Sequence, residues 1–234
     1  MTRRRWIADE VSGTQAALVG THAEHLARVL RASVGQEFDI STGSEVRRGR
    51  VTRVDSARVE FELGEAVHGS SALRLTLAPA IFKFDRMEWA IEKCTELGAA
   101  RIAPLIAQRT DRHLAAAAVK RVERWQRIAR QAAEQARRVA PPEVSPPASL
   151  REVLALPGLR IVLSEVERDV TLKEALGSSP EDIVVALGPE GGWTEEELAE
   201  FRDAGWQAAS LGSAILRAET AAIAAAAVIL SENQ

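Results

Sequence analysis

Apolar and polar positions follow two different rhythms along the chain, and the rhythm changes near residue 70. Before that point, short alternating runs predict strands over 37–41, 45–54 and 58–63, separated by turns at Thr42-Gly43-Ser44 and Asp55-Ser56-Ala57. Thr21 and Glu24 have the spacing of a capping box and predict a helix over 21–31. The stretch 65–71, with its glycine and serines, reads as a linker. Beyond it, strand and helix patterns alternate, as in an α/β domain built on a mainly parallel sheet. The pattern predicts strands over 73–78, 100–105, 159–163, 183–187 and 206–211.

Helices are predicted over 86–97, 115–139, 171–176, 194–202 and 219–230. Gly98 ends the first, while Thr194 and Glu197 form a capping box at the fourth, which Gly205 ends. Within 115–139, Val119, Val122, Trp125, Ala129, Ala132, Ala136 and Val139 trace an apolar stripe. Lys120, Arg124, Arg127, Gln131, Glu134 and Arg138 follow at steps of three and four along a second face, before Pro141, Pro142, Pro146 and Pro147 stop the helix. The organisation is a unit over 1–70 and a larger one over 71–234.

A chain of 234 residues, 46% hydrophobic, has room for one large core or two modest ones. Its one cysteine, Cys94, excludes an intramolecular disulfide and a cysteine-rich metal site. His22, His25, His68 and His113 have no metal-ligand spacing, and no metal site is expected. With no apolar run after Arg3-Arg4-Arg5 and no stretch of about 20 apolar residues, neither a signal peptide nor a membrane span is expected, and the expected location is the cytoplasm. The net charge of −3 hides an uneven distribution: 101–140 holds ten basic and three acidic side chains, 141–234 six and sixteen. A basic segment on an acidic chain is either a solvated helix face or a patch that steers a polyanion.

The chemistry gathers near the C-terminus. The runs 183–187 and 206–211 each deliver a Leu-Gly pair into a turn. Leu187 leads into Gly188-Pro189-Glu190-Gly191-Gly192, and Leu211-Gly212 leads through Ile215, Leu216 and Arg217 to Glu219 and Thr220. Neither is a P-loop or a dinucleotide turn. Glycines here let backbone groups approach a flat ligand such as adenine, although the first is also what an ordinary strand-to-helix turn looks like. Two such turns make a pocket from backbone, as suits a cofactor-binding enzyme with little acid–base equipment.

The two turns resemble the C-terminal signature of the SPOUT methyltransferases. Together with Arg86-Met87-Glu88, Lys93, Glu96-Leu97-Gly98 and Glu134-Gln135 with Arg138, they resemble the ribosomal RNA small subunit methyltransferase E family, which methylates N3 of a uridine in 16S rRNA. The resemblance covers nearly the whole chain. It implies a SPOUT-type trefoil-knotted methyltransferase domain over 71–234, preceded by a PUA-like RNA-binding β-barrel over 1–70. It also implies S-adenosylmethionine (SAM) as cofactor, a homodimer, and 16S rRNA within the assembled 30S subunit as substrate, with no membrane and no metal. The rival reading is a non-catalytic RNA-binding assembly factor, which loss of the glycine turns would favour; both are intact here. The alanine run 221–227 is either helix propensity or a face buried against a second chain.

Carried onto this chain, the resemblance places the cofactor on Leu163, Ser164, Leu187, Gly188, Pro189, Glu190, Gly191, Gly192, Ser210, Leu211, Gly212, Ile215, Leu216, Arg217 and Thr220. Arg217 and Glu219 are either ligand contacts or a buried pair ordering the knot. RNA contacts are implied at Arg5, Arg28, Arg31, Arg47, Arg86, Arg109, Lys120, Arg124, Arg127 and Gln135, with Arg48, Arg50 and Arg53 as further phosphate candidates or the wet face of a hairpin. Uridine N3 must lose a proton before it attacks a methyl group, and a cation favours the resulting anion. Arg138 is the candidate cation and Glu134 the candidate acceptor; the alternative for this pair is an i,i+4 surface ion pair. Ala136, Arg137 and Ala214 stand where the family has serine, glycine and arginine, so no serine hydroxyl acts at 136.

Overall fold

The computed structural model describes residues 5–67, 73–177 and 182–231. The chain forms two compact units, Met1–Ser70 with Ala133–Pro141, and Ser71–Ala132 with Pro142–Gln234.

The first unit holds β1 (Arg5–Ile7), β2 (Glu10–Ser12), β3 (Gln15–Val19), α1 (Thr21–Glu24), β4 (Glu37–Ser41), β5 (Val46–Val54) and β6 (Arg58–Val67). The strands form one open sheet in the order β1-β4-β5-β6-β3-β2, antiparallel except between β1 and β4. Leu18, Leu26, Ile40, Val59 and Phe61 fill its core. Gly49 is required there, because a Cβ would stand 2.3 Å from the Ile40 side chain. Strands β1 and β2 are too short for alternation to register in the sequence, and β3 carries an apolar run, Ala16–Val19, without alternation. The expected linker is partly strand, since β6 runs to Val67; the rest of 65–71, and His68, lie outside the described residues.

The helix expected over 21–31 is shorter and widens in its second half. Strand β3 delivers Gly20, not Thr21, to the N-cap, at φ 59°, and no side chain caps it. Glu24 is therefore not half of a capping box; it pairs with Arg28 at 2.7 Å, and the chain continues as a π-turn over His25–Val29.

The second unit begins with β7 (Arg74–Pro79), α2 (Phe84–Leu97), β8 (Arg101–Ile102), β9 (Leu105–Ile106), α3 (Arg112–Ala118) and α4 (Val122–Gln135), whose last turn belongs to the first unit. It continues with β10 (Glu143–Val144), β11 (Ala148–Ser149), α5 (Leu150–Leu154), β12 (Leu159–Leu163), α6 (Leu172–Leu176), β13 (Asp182–Leu187), α7 (Glu195–Asp203), β14 (Gln207–Ala209) and α8 (Ala218–Ser231). Six strands form a wholly parallel sheet in the order β10-β8-β7-β13-β12-β14. Both faces of β13 are covered. Ile183, Val185 and Leu187 join the core beneath α2 and α8, whereas Val184 and Ala186 join a cluster with Trp193, Phe201 and Trp206. That is why the strand reads as an unbroken apolar run.

Three expectations are corrected by backbone chemistry. The strand 100–105 is two strands, because Pro104 has no N–H to donate; β9 leaves the sheet and pairs with β11. The strand 206–211 ends at Ala209, where Ser210 turns aside to bond Val170 and Leu172. The helix 115–139 is α3, a 3-10 turn over Val119–Arg121, and α4. Val119 is 62% exposed, so the buried stripe runs through Trp125, Ala129 and Ala132 only. Ala136 and Val139 lie beyond the helix. Thr194 and Glu197 do form their capping box.

The end of α4 is a Schellman motif. The Arg138 N–H donates to the Ala133 carbonyl at 2.9 Å, and the Arg137 N–H to the Glu134 carbonyl at 3.1 Å. Arg137, at φ 56°, occupies the left-handed position that glycine usually fills.

Candidate functional site

The carboxyl ends of β12, β13 and β14 lie side by side and open into a cleft of about 320 Å³. Ligands of open parallel sheets bind at such strand ends, and a volume of a few hundred Å³ suits a small molecule. Of the expected cofactor residues, Leu163, Ser164, Leu187, Gly188, Pro189, Glu190, Gly192, Ser210, Leu211, Gly212, Ile215, Leu216 and Arg217 line it. Gly191 and Thr220 do not. A Cβ on Gly191 would point at the Arg109 side chain, 3.5 Å from its Cδ, and Thr220 is an exposed residue of the first turn of α8.

The turn after β13 is fixed from several sides. The Gly192 N–H closes it onto the Pro189 carbonyl at 2.8 Å. Gly192 sits at φ 70°, a left-handed conformation that favours glycine, and a Cβ there would also displace the end of the Glu165 side chain. The Trp193 indole N–H donates to the Leu163 carbonyl at 2.9 Å. Arg109, expected to meet RNA, instead donates to the carbonyls of Gly191 at 2.7 Å and Trp193 at 3.1 Å. Nearby, the buried Glu197 carboxylate accepts from the backbone N–H groups of Gln108 and Thr194.

Charged groups frame an otherwise apolar cleft. Arg86, also expected to meet RNA, lines it and lies 3.5 Å from Glu190 and 3.7 Å from Glu219. Of the two alternatives for Arg217 and Glu219, the buried pair does not form: Glu219 is buried against Arg86, and Arg217 is exposed along the cleft. Sequence reasoning also passed over Val166, Trp193, Leu198, Ala218 and Ala221 as lining residues. A tryptophan directly after a double glycine was the available signal. Ala214 lines the cleft too.

Glu134 and Arg138 belong to the first unit. Glu134 lies in the last turn of α4 and Arg138 beyond its end at Gln135. Glu134 Oε1 lies 3.4 Å from His22 Nε2. Arg138 is half-buried, and burial holds its pKa below the ordinary guanidinium value. Arg5, expected to meet RNA, donates to the Arg137 carbonyl. Gln135 is exposed.

The remaining cationic candidates divide into paired and open ones. Arg124 grips Glu88 through two bonds of 2.6 and 2.8 Å, with Arg121 3.7 Å from the same carboxylate. Arg47 donates to the Gly64 carbonyl at 2.8 Å, and Arg53 lies 3.7 Å from Asp55. Lys120, Arg127, Arg31 and Arg50 are exposed, while Arg48 is half-buried. Burial pushes the Cys94 thiol up to about 12, which leaves it protonated and unreactive at neutral pH. Among the described residues no cluster of metal-ligating side chains occurs, and no helix is long and apolar enough to cross a membrane.

A parallel sheet covered on both faces, with a cleft of glycine turns at its strand ends, is the frame of an RNA methyltransferase: residues 69–230 match the family described as an RNA methyltransferase domain. A ribosomal RNA small subunit methyltransferase E from Synechocystis sp. is 35% identical over 230 residues, covering 94% of this chain and 74% of that protein. The crystal structure of the enzyme of that name from Neisseria gonorrhoeae, bound to S-adenosyl methionine, superposes with a TM-score of 0.85 at 33% identity, covering 99% of this chain and 98% of that one. A methyltransferase from Legionella pneumophila, also in complex with SAM, gives 0.81 at 29% identity, covering 99% and 98%. The chain belongs to the ribosomal RNA small subunit methyltransferase E family.

Proposed function

We propose that this chain transfers a methyl group from SAM to N3 of a uridine in 16S rRNA, acting on the 30S subunit as a homodimer. The observation that carries this reading is the cleft at the ends of β12, β13 and β14, in a chain whose structural neighbours hold SAM. Its lining fits that molecule. Leu187, Leu211, Ile215 and Leu216 offer apolar surface for adenine, while the carboxylates of Glu165 and Glu190 suit a cationic sulfonium and ammonium. On this reading the fold is the SPOUT trefoil knot, and the first unit is a PUA-like RNA-binding domain.

When bound, SAM supplies a methyl carbon that is already electrophilic, so the protein's work is positioning and deprotonation. The Glu134 carboxylate takes the uracil N3 proton, and the Arg138 guanidinium stabilises the anion that remains. Lys120 and Arg127, exposed on the basic helix, meet phosphates.

The deciding experiment is transfer of radiolabelled methyl groups to small subunits lacking the modification, followed by digestion and separation of the nucleosides. Label in 3-methyluridine is the expected result. Label on another nucleoside would replace the target, and no label with intact SAM binding would favour an assembly factor without catalysis.

A further inference from the structure

His22 sits between two carboxylates. Its Nδ1 lies 3.3 Å from both oxygens of Asp9, and its Nε2 lies 3.4 Å from Oε1 of Glu134. Asp9 is itself anchored, because the Val19 N–H donates to its Oδ2 at 2.9 Å. The three side chains are only 14 to 22% exposed and belong to one compact unit. The ring thus faces a carboxylate on each side, Asp9 within hydrogen-bond distance of one nitrogen and Glu134 within ion-pair distance of the other. His22 thereby links Asp9 to Glu134 and restricts where the Glu134 carboxylate can lie. The same turn is gripped a second time, by Arg5 at the Arg137 carbonyl.

We propose that His22, anchored by Asp9, is a positioning residue for methyl transfer: it orients the Glu134 carboxylate toward the uracil N3 proton. This inference rests on the reading of Glu134 as the group that serves N3.

The test compares His22→Phe, His22→Gln, Glu134→Gln and the His22→Phe/Glu134→Gln double variant in single-turnover methyl transfer at saturating SAM and saturating subunits. Subunit affinity, SAM affinity and melting temperature are followed in parallel. His22→Phe is expected to slow the chemical step by about ten- to a hundredfold, the effect of a misplaced reacting group, with both affinities retained. His22→Gln should recover part of the rate, since its amide can still donate to Glu134, and it carries the comparison if the phenylalanine variant melts early. The double variant should be no slower than Glu134→Gln alone. A native rate in His22→Phe beside an impaired Glu134→Gln overturns the role of His22, as do losses that multiply in the double variant. A native rate in Glu134→Gln removes the reading of Glu134, and the positioning role with it.

Discussion

The Trp193 indole and the Leu163 carbonyl, 2.9 Å apart, tie the turn after β13 to the last residue of β12. This bond adds to the β12–β13 ladder and the Arg109 contacts in setting the spacing of two walls of the cleft. Trp193→Phe keeps most of the apolar volume and leaves the buried carbonyl unpartnered. It is expected to cost about 1–3 kcal/mol of stability, for an unsatisfied buried group, and to weaken SAM binding. Calorimetry and thermal melts measure both. Native affinity in a destabilised Trp193→Phe protein would separate this bond from the ligand site.

Ile215 tests the opposite wall without touching the core. It lines the cleft yet is 79% exposed, so its side chain adds little to folding. If a ligand covers it, burial is worth about 1.5–3 kcal/mol. Ile215→Asp should therefore weaken SAM binding by about tenfold or more at an unchanged melting temperature. An unchanged dissociation constant would place the ligand away from this loop.

The central strands β7, β13 and β12 were legible because burial writes an apolar run, unbroken in 183–187 where both faces are covered. The glycine turns were legible because backbone conformation selects the residue: Gly192 sits at φ 70° and Gly212 at φ 109°, while Gly188 is also crowded by the Trp193 side chain. What the sequence concealed depends on contacts between distant residues. Nothing local in Arg109 marks it as a clamp on Gly191, and nothing in Arg86 marks Glu219 as its partner rather than Arg217. The end of α4 was misplaced because Arg137 is left-handed without being glycine.

That residue yields a stability prediction. A non-glycine residue in the left-handed region costs about 1–2 kcal/mol, part of which glycine returns through its greater freedom in the unfolded chain. Arg137 is exposed, and its N–H, bonded to the Glu134 carbonyl, and its carbonyl, bonded by the Arg5 side chain, are main-chain groups that survive substitution. Arg137→Gly is expected to raise stability by about 0.5–1 kcal/mol. Denaturant titration checks this, and a loss of stability would mean that the arginine side chain itself holds the turn.

The proposed homodimer has a sharper test than a random surface mutation. Ala225 is buried in its own chain's core, so Ala225→Arg should unfold the protein without reporting on a partner. Ala224 is half-buried on α8, and Trp89 on α2 is 47% exposed. If α8 meets a second chain, Ala224→Arg should convert dimer to monomer in sedimentation while its helical signal persists. A stable Ala224→Arg dimer would move the interface to another surface.

The basic helix separates substrate binding from chemistry. Lys120 and Arg127 are exposed, whereas Arg124 already satisfies Glu88. Removing Lys120 or Arg127 should weaken RNA binding and lower the slope of log affinity against log salt by about 0.9 each. Arg124→Ala should change that slope less, since its charge is largely spent. Arg138 should behave differently again, with Arg138→Ala slowing single turnover while RNA affinity holds. Burial lowers its pKa, but a guanidinium stays charged throughout the usable pH range. An ammonium in the same place starts from about 10.4 and is pushed toward neutrality, so it loses charge as pH rises. Arg138→Lys should therefore rescue turnover best at neutral pH and fail progressively under alkaline conditions, where the wild type does not. A lysine variant whose rate relative to wild type is flat across that range would mean that no charge at 138 is needed in the chemical step.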